Sequence, residues 1–96
     1  MSKYDPLHKW LANVPVHIGE ETLSFDQIEM LLGFTLPDSA KHHRAWWANP
    51  SSDGYHPYAQ SWLMAGWQVD TVEQSQQWVR FRRRKKAVPS KVGDND

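Results

Sequence analysis

Cysteine is absent from the 96 residues, which excludes disulfide bridges and thiolate metal ligands and agrees with a reducing compartment. Long apolar runs are absent too: nothing approaches the roughly 20 residues needed to cross a bilayer. Met1-Ser2-Lys3-Tyr4-Asp5-Pro6 lacks the apolar centre of a secretory leader. These features predict a soluble cytoplasmic protein with no membrane partner. Glycine is scarce, with five in all, and forms neither a nucleophile elbow nor a phosphate-cradling loop. Asp38-Ser39 with His42 and His43 can be drawn as a nucleophile and base, but Ser39 serves better as a helix cap, so no enzyme is expected. His8, His17 and His56 sit in separate segments, and the adjacent His42 and His43 diverge on a helix. Zinc sites want convergent ligands, so neither a metal nor another cofactor is expected.

Net charge is zero, yet the charge is unevenly placed. Residues 1–48 hold four cations against six acids. From Arg80 to Lys91 there are seven cations and no acid. The asymmetry points to an anionic partner for the C-terminal region where the total says nothing.

What the chain has in quantity is aromatic surface: 12% of residues, including six tryptophans. Each buried ring removes about 150–250 Å² from water, so few side chains suffice for a small core. Asp5-Pro6 opens a first helix, with Leu7, Trp10 and Leu11 on one face, closing near Asn13. Val16, Ile18, Leu23 and Phe25 flank Gly19-Glu20-Glu21, which reads as a small extended excursion or hairpin. Ser24-Phe25-Asp26-Gln27 fits a capping box for a helix over Phe25 to Leu32 that Gly33 ends in the left-handed conformation. Asp38 or Ser39 caps a third helix that must stop before Pro50, and Asn49-Pro50-Ser51-Ser52-Asp53-Gly54 reads as loop. Pro57 starts a fourth helix and Gly66 stops it. Trp67 to Thr71 and Trp78 to Arg82 both alternate, which predicts a hairpin through Glu73-Gln74-Ser75-Gln76, with Val79 and Phe81 inward and Trp78, Arg80 and Arg82 outward. Residues 1–84 form one domain on this reading, and 85–96 a basic-to-polar tail.

In His42-His43-Arg44-Ala45-Trp46-Trp47, helical neighbours point about 100° apart, so only one tryptophan can be central. The stripe Ala40, His43, Trp47 favours Trp47, which leaves Trp46 at the rim, free to cover the core or to stack on a base.

The two helices around Gly33 resemble a helix-turn-helix, in which the second helix enters the major groove. Ile28, Leu32, Gly33 and Phe34 match its buried positions and turn glycine. Glu29 stands where a small residue is usual, and Leu36-Pro37 lengthens the turn. With the hairpin as wing, the expected fold is α+β, mainly α, winged helix-turn-helix-like, with three to four short helices. The pattern Leu36-Pro37-x-Ser39-Ala40, Trp46-Trp47-Ala48-Asn49, Ala65-Gly66-Trp67 and Phe81-Arg82-Arg83 also resembles an uncharacterised small domain family of bacteria and phages. That resemblance covers the chain to about Arg83, and its loose association with nuclease and mobile-element neighbours leans toward nucleic acid.

The expected function is DNA binding. Ser39, Lys41, His42 and Arg44 would face the duplex, while Arg80, Arg82, Arg83, Arg84, Lys85 and Lys86 would hold phosphates. Asn49 would join them or cap the helix. So small a contact suggests a homodimer or an associated protein partner. Two competing expectations stand beside it: an edge strand guarded by charge, and a protein-interaction module anchored by Trp46, Tyr55, Tyr58 and Trp62.

Overall fold

The computed structural model describes residues 2–49 and 56–84. Helix α1 (Asp5–Ala12) leads to strand β1 (Glu20–Ser24) and helix α2 (Phe25–Leu32). A short α3 (Asp38–His42), a 3-10 turn (Arg44–Trp47) and α4 (Pro57–Leu63) follow, and then strands β2 (Trp67–Glu73) and β3 (Trp78–Arg83). The class is α+β, with four helices and one three-stranded antiparallel sheet ordered β1-β3-β2 among the described residues. Helix, strand, helices, then hairpin is a winged helix-turn-helix-like order. Among the described residues no helix is long and apolar enough to cross a membrane.

Local chemistry sets several boundaries. The Ser24 hydroxyl accepts the Gln27 amide proton at 3.0 Å, and the Gln27 side chain accepts the Ser24 N–H at 2.8 Å, closing the capping box. Gly33, at φ 83°, ends α2 in a conformation that costs other residues a clash of Cβ. At the hairpin, Gln77 takes the left-handed position at φ 61°.

The sheet is larger than a lone hairpin. β1 pairs with β3 from Glu20 opposite Arg82 to Ser24 opposite Trp78, so β3 is the central strand. Guarding an edge is therefore not what its arginines do. Leu23, Val69, Val79 and Phe81 turn inward to the helices, and Trp47, Trp62 and Trp67 are fully buried among them. Trp47 lies between Phe25, at 5.4 Å and 17°, and Trp62, at 5.8 Å and 20°. Trp46 is half-buried, so the division between the two neighbouring tryptophans follows the sequence expectation.

Candidate nucleic-acid interface

The third helix is shorter than its sequence suggests. α3 has five residues, His43 is extended at φ −120° and ψ 115°, and the chain resumes as a 3-10 turn. A continuing α-helix would give the Ala40 carbonyl to the N–H of Arg44. Instead the Trp47 indole N–H donates to that carbonyl at 2.7 Å and the Gln74 amide donates at 3.1 Å. Burying Trp47 thus breaks the helix, and His43, placed on the buried stripe by sequence, is exposed.

Glu29 explains the lengthened turn. Its carboxylate accepts the Leu36 N–H at 2.7 Å and pairs with Lys41 at 3.5 Å, tying α2 to α3 across Pro37. Lys41 is thereby engaged within the chain. Neither Asp38 nor Ser39 caps α3, since Pro37 holds the N-cap position. Ser39, His42, His43 and Arg44 are exposed, and none takes part in an ion pair among the described residues. No acid occurs in the sequence from Ser39 to Ser52.

The outer face of the sheet differs from its sequence reading. Arg80 and Arg82 do point away from the core, as alternation requires. A β-bulge between Val69 and Thr71 turns Asp70 toward them. Arg82 meets Glu20 at 2.8 Å and Asp70 at 3.3 Å, and Arg80 lies 3.8 Å from Asp70 and 5.4 Å from the Trp78 ring. The hydrogen bond from Arg82, followed by that from the Thr71 hydroxyl, holds the Asp70 carboxyl below its ordinary value of 3.8. The same bond to Asp70, then the charges of Asp70 and Glu20, push Arg82 further up. A face whose cations are already matched by carboxylates has little field left for phosphates.

The Asp70 shift fixes a pH dependence. A carboxyl that is more acidic folded than unfolded contributes stability above its unfolded pKa, and the contribution is lost as pH falls through the folded value. Asp70→Asn is expected to lower the urea midpoint at pH 7, and its difference from wild type is expected to shrink as the pH falls below the ordinary carboxylate value of 3.8. An equal difference on both sides of that value would show that the cluster does not titrate with folding.

Two further site residues are structural. Asn49 works as a patch on the outer edge of β2: its side chain accepts from Val69 N–H at 2.9 Å and donates to Val69 C=O at 2.9 Å. It also accepts from the buried Trp62 indole at 3.1 Å. Arg83 donates to the carbonyls of Ile18, Val14 and Pro15 at 2.9–3.0 Å, with its guanidinium 4.4 Å above Trp67. Both side chains, expected at a nucleic-acid surface, make their hydrogen bonds within the chain. Arg84 is exposed, while Lys85, Lys86 and Tyr55 lie outside the described residues. The expected aromatic anchor is also corrected in part: Trp62 is fully buried, and Trp46 and Tyr58 are half-buried.

Sequence reasoning missed one feature of the exposed corner. Trp46 and Tyr58 stack face to face at 4.0 Å and 8°, and His56 stacks on Tyr58 at 5.2 Å and 23°. No local pattern gives it, because it joins two segments about a dozen residues apart in sequence.

A family model described as "Domain of unknown function (DUF7662)" matches residues 4–84. No curated protein and no solved structure matches the chain.

Proposed function

The chain belongs to the DUF7662 family, and for this domain we propose DNA binding through the corner made by α3 and the 3-10 turn. One observation carries the reading: Ser39, His42, His43 and Arg44 are exposed and unpaired among the described residues, in an acid-free stretch of sequence. Arg44 supplies the planar guanidinium that matches a phosphate or a guanine edge. The arginines of β3 do not join it, because Asp70 and Glu20 already neutralise Arg80 and Arg82 and the loop before β1 holds Arg83.

The test is an anisotropy titration of labelled DNA at two salt concentrations. Arg44→Ala is expected to weaken binding about tenfold at low salt, the scale of one charge-assisted contact. Arg80→Ala with Arg82→Ala leaves the salt slope unchanged, since a paired cation releases no counterion from DNA. A slope reduced by about two in that double variant moves the interface to the sheet. A second reading, a protein-interaction module, is supported by an open groove of about 640 Å³ between α1 and α4, with Met64 exposed at its rim. Absence of DNA binding at low salt favours it.

A further inference from the structure

We infer that the exposed end of the Trp46–Tyr58–His56 column takes an unpaired base, so that the domain prefers single-stranded or frayed DNA to intact duplex; this rests on the nucleic-acid reading above. The column is preformed. Trp46 is braced edge-on by Trp47 at 4.7 Å and by Tyr4 at 6.4 Å, while Tyr58 meets Tyr4 edge-on at 6.0 Å. Trp46 and Tyr58 are thereby held with one face each against the other, and His56 continues the stack toward solvent, where it is exposed. His56 precedes Pro57, which confines its backbone to the extended region found here, φ −129° and ψ 118°. The imidazole is thus presented from a restrained backbone at the start of α4.

A flat ring at the end of a rigid stack offers a face on which another flat ring can sit. Every base has such a face, but within a duplex both of its faces are covered by neighbours, so only an unpaired base is available to extend the column. The rest of the corner agrees. A recognition helix reads a duplex by lying in its major groove, whereas α3, with five residues, advances only about 7.5 Å. Arg44 opens the 3-10 turn that carries Trp46, and His42 and His43 lie immediately before it, so donors for the strand's phosphates come from the same short segment. Aromatic stacking beside a basic backbone track is how single strands are held without sequence reading.

The experiment uses the full chain and a labelled oligo-dT of about 12 nucleotides, within the span one small domain covers, beside its duplex with oligo-dA at the same salt. Wild type is expected to bind the single strand more tightly. His56→Ala weakens single-strand binding about tenfold, at the lower end for one stacked base, and leaves the duplex affinity unchanged. His56→Phe, which keeps a flat ring, restores it. His56 is exposed, and an unchanged melting midpoint in both variants keeps the comparison one of contact. Duplex preference, or equal single-strand affinities for wild type and His56→Ala while Arg44→Ala still weakens binding, overturns the stacking inference alone. No binding to either probe at low salt overturns the function reading with it.

Discussion

Trp47→Ala is expected to lower the stability of the domain by about 3–5 kcal/mol, the range for deleting a large buried aromatic ring. Trp47 has no exposed surface, and it sits between Phe25 and Trp62 in a column that runs on to Phe81 at 5.7 Å from Trp62. The column joins α2, the 3-10 turn, α4 and the central strand, so a cavity there loosens every layer at once. The substitution also removes one of the two donors to the Ala40 carbonyl. Domains of this size have roughly 5–15 kcal/mol in total and lose about 4–8 °C of melting temperature per kcal/mol. Thermal unfolding followed by circular dichroism should therefore show a midpoint lower by more than ten degrees. Trp47→Phe separates the two contributions: it keeps most of the stacking and loses the indole N–H, and is expected to cost about 1–3 kcal/mol. A change under about 1 kcal/mol in Trp47→Ala would mean that the column is not the centre of the fold.

What could be read directly from the sequence was whatever a few neighbouring residues decide among themselves. The Ser24–Gln27 box, the left-handed Gly33 and the alternation of Trp78 to Arg82 each satisfy their own backbone or face requirement within one element. The missing parts all depend on partners far along the chain. β1 has only Leu23 buried and little strand character, and it forms because Glu20 to Ser24 find β3 54 to 62 residues later. The third helix stops at His43 because a side chain four residues on, brought to the core by Phe25 and Trp62, takes a backbone acceptor the helix needs. Asp70 reaches two arginines because of a bulge that no local pattern announces.

The candidate site followed the same division. Exposure of Ser39, His42 and Arg44 was legible, since nothing apolar claims their positions. Residue type misled where a polar group had an internal acceptor to find. Seven cations in a row of twelve residues look like a phosphate track, but a central strand brings its outward arginines between two neighbours that both carry acids. Asn49 looked like a helix cap or a further contact to the phosphates, and its amide bonds the Val69 backbone on the outer edge of β2.

Arg83→Ala provides the sharpest separation between a cation held by the fold and one offered to a ligand. The side chain closes the connection between α1 and β1: Val14, Pro15 and Ile18 all present carbonyls to it, and the Arg83 backbone N–H adds a bond to Gly19 at 2.9 Å. Trp67 lies beneath the guanidinium and donates its own indole N–H to Leu11 at 3.1 Å, so the end of α1 and the end of β3 are joined from two sides. Hydrogen bonds from a charged donor contribute about 1.5–3 kcal/mol each where water cannot replace them. These are only partly buried and act as a unit, so the expected loss is about 2–3 kcal/mol in total. Arg83→Lys recovers less than half of it, because a compact ammonium cannot place donors where both Nε and Nη2 of the guanidinium reach carbonyls, nor lie flat on the indole. DNA affinity measured well below the lowered midpoint stays at the wild-type value. The opposite pair of results, an unchanged midpoint with weaker and less salt-dependent DNA binding, would return Arg83 to the phosphate backbone and reopen the sheet as the interface.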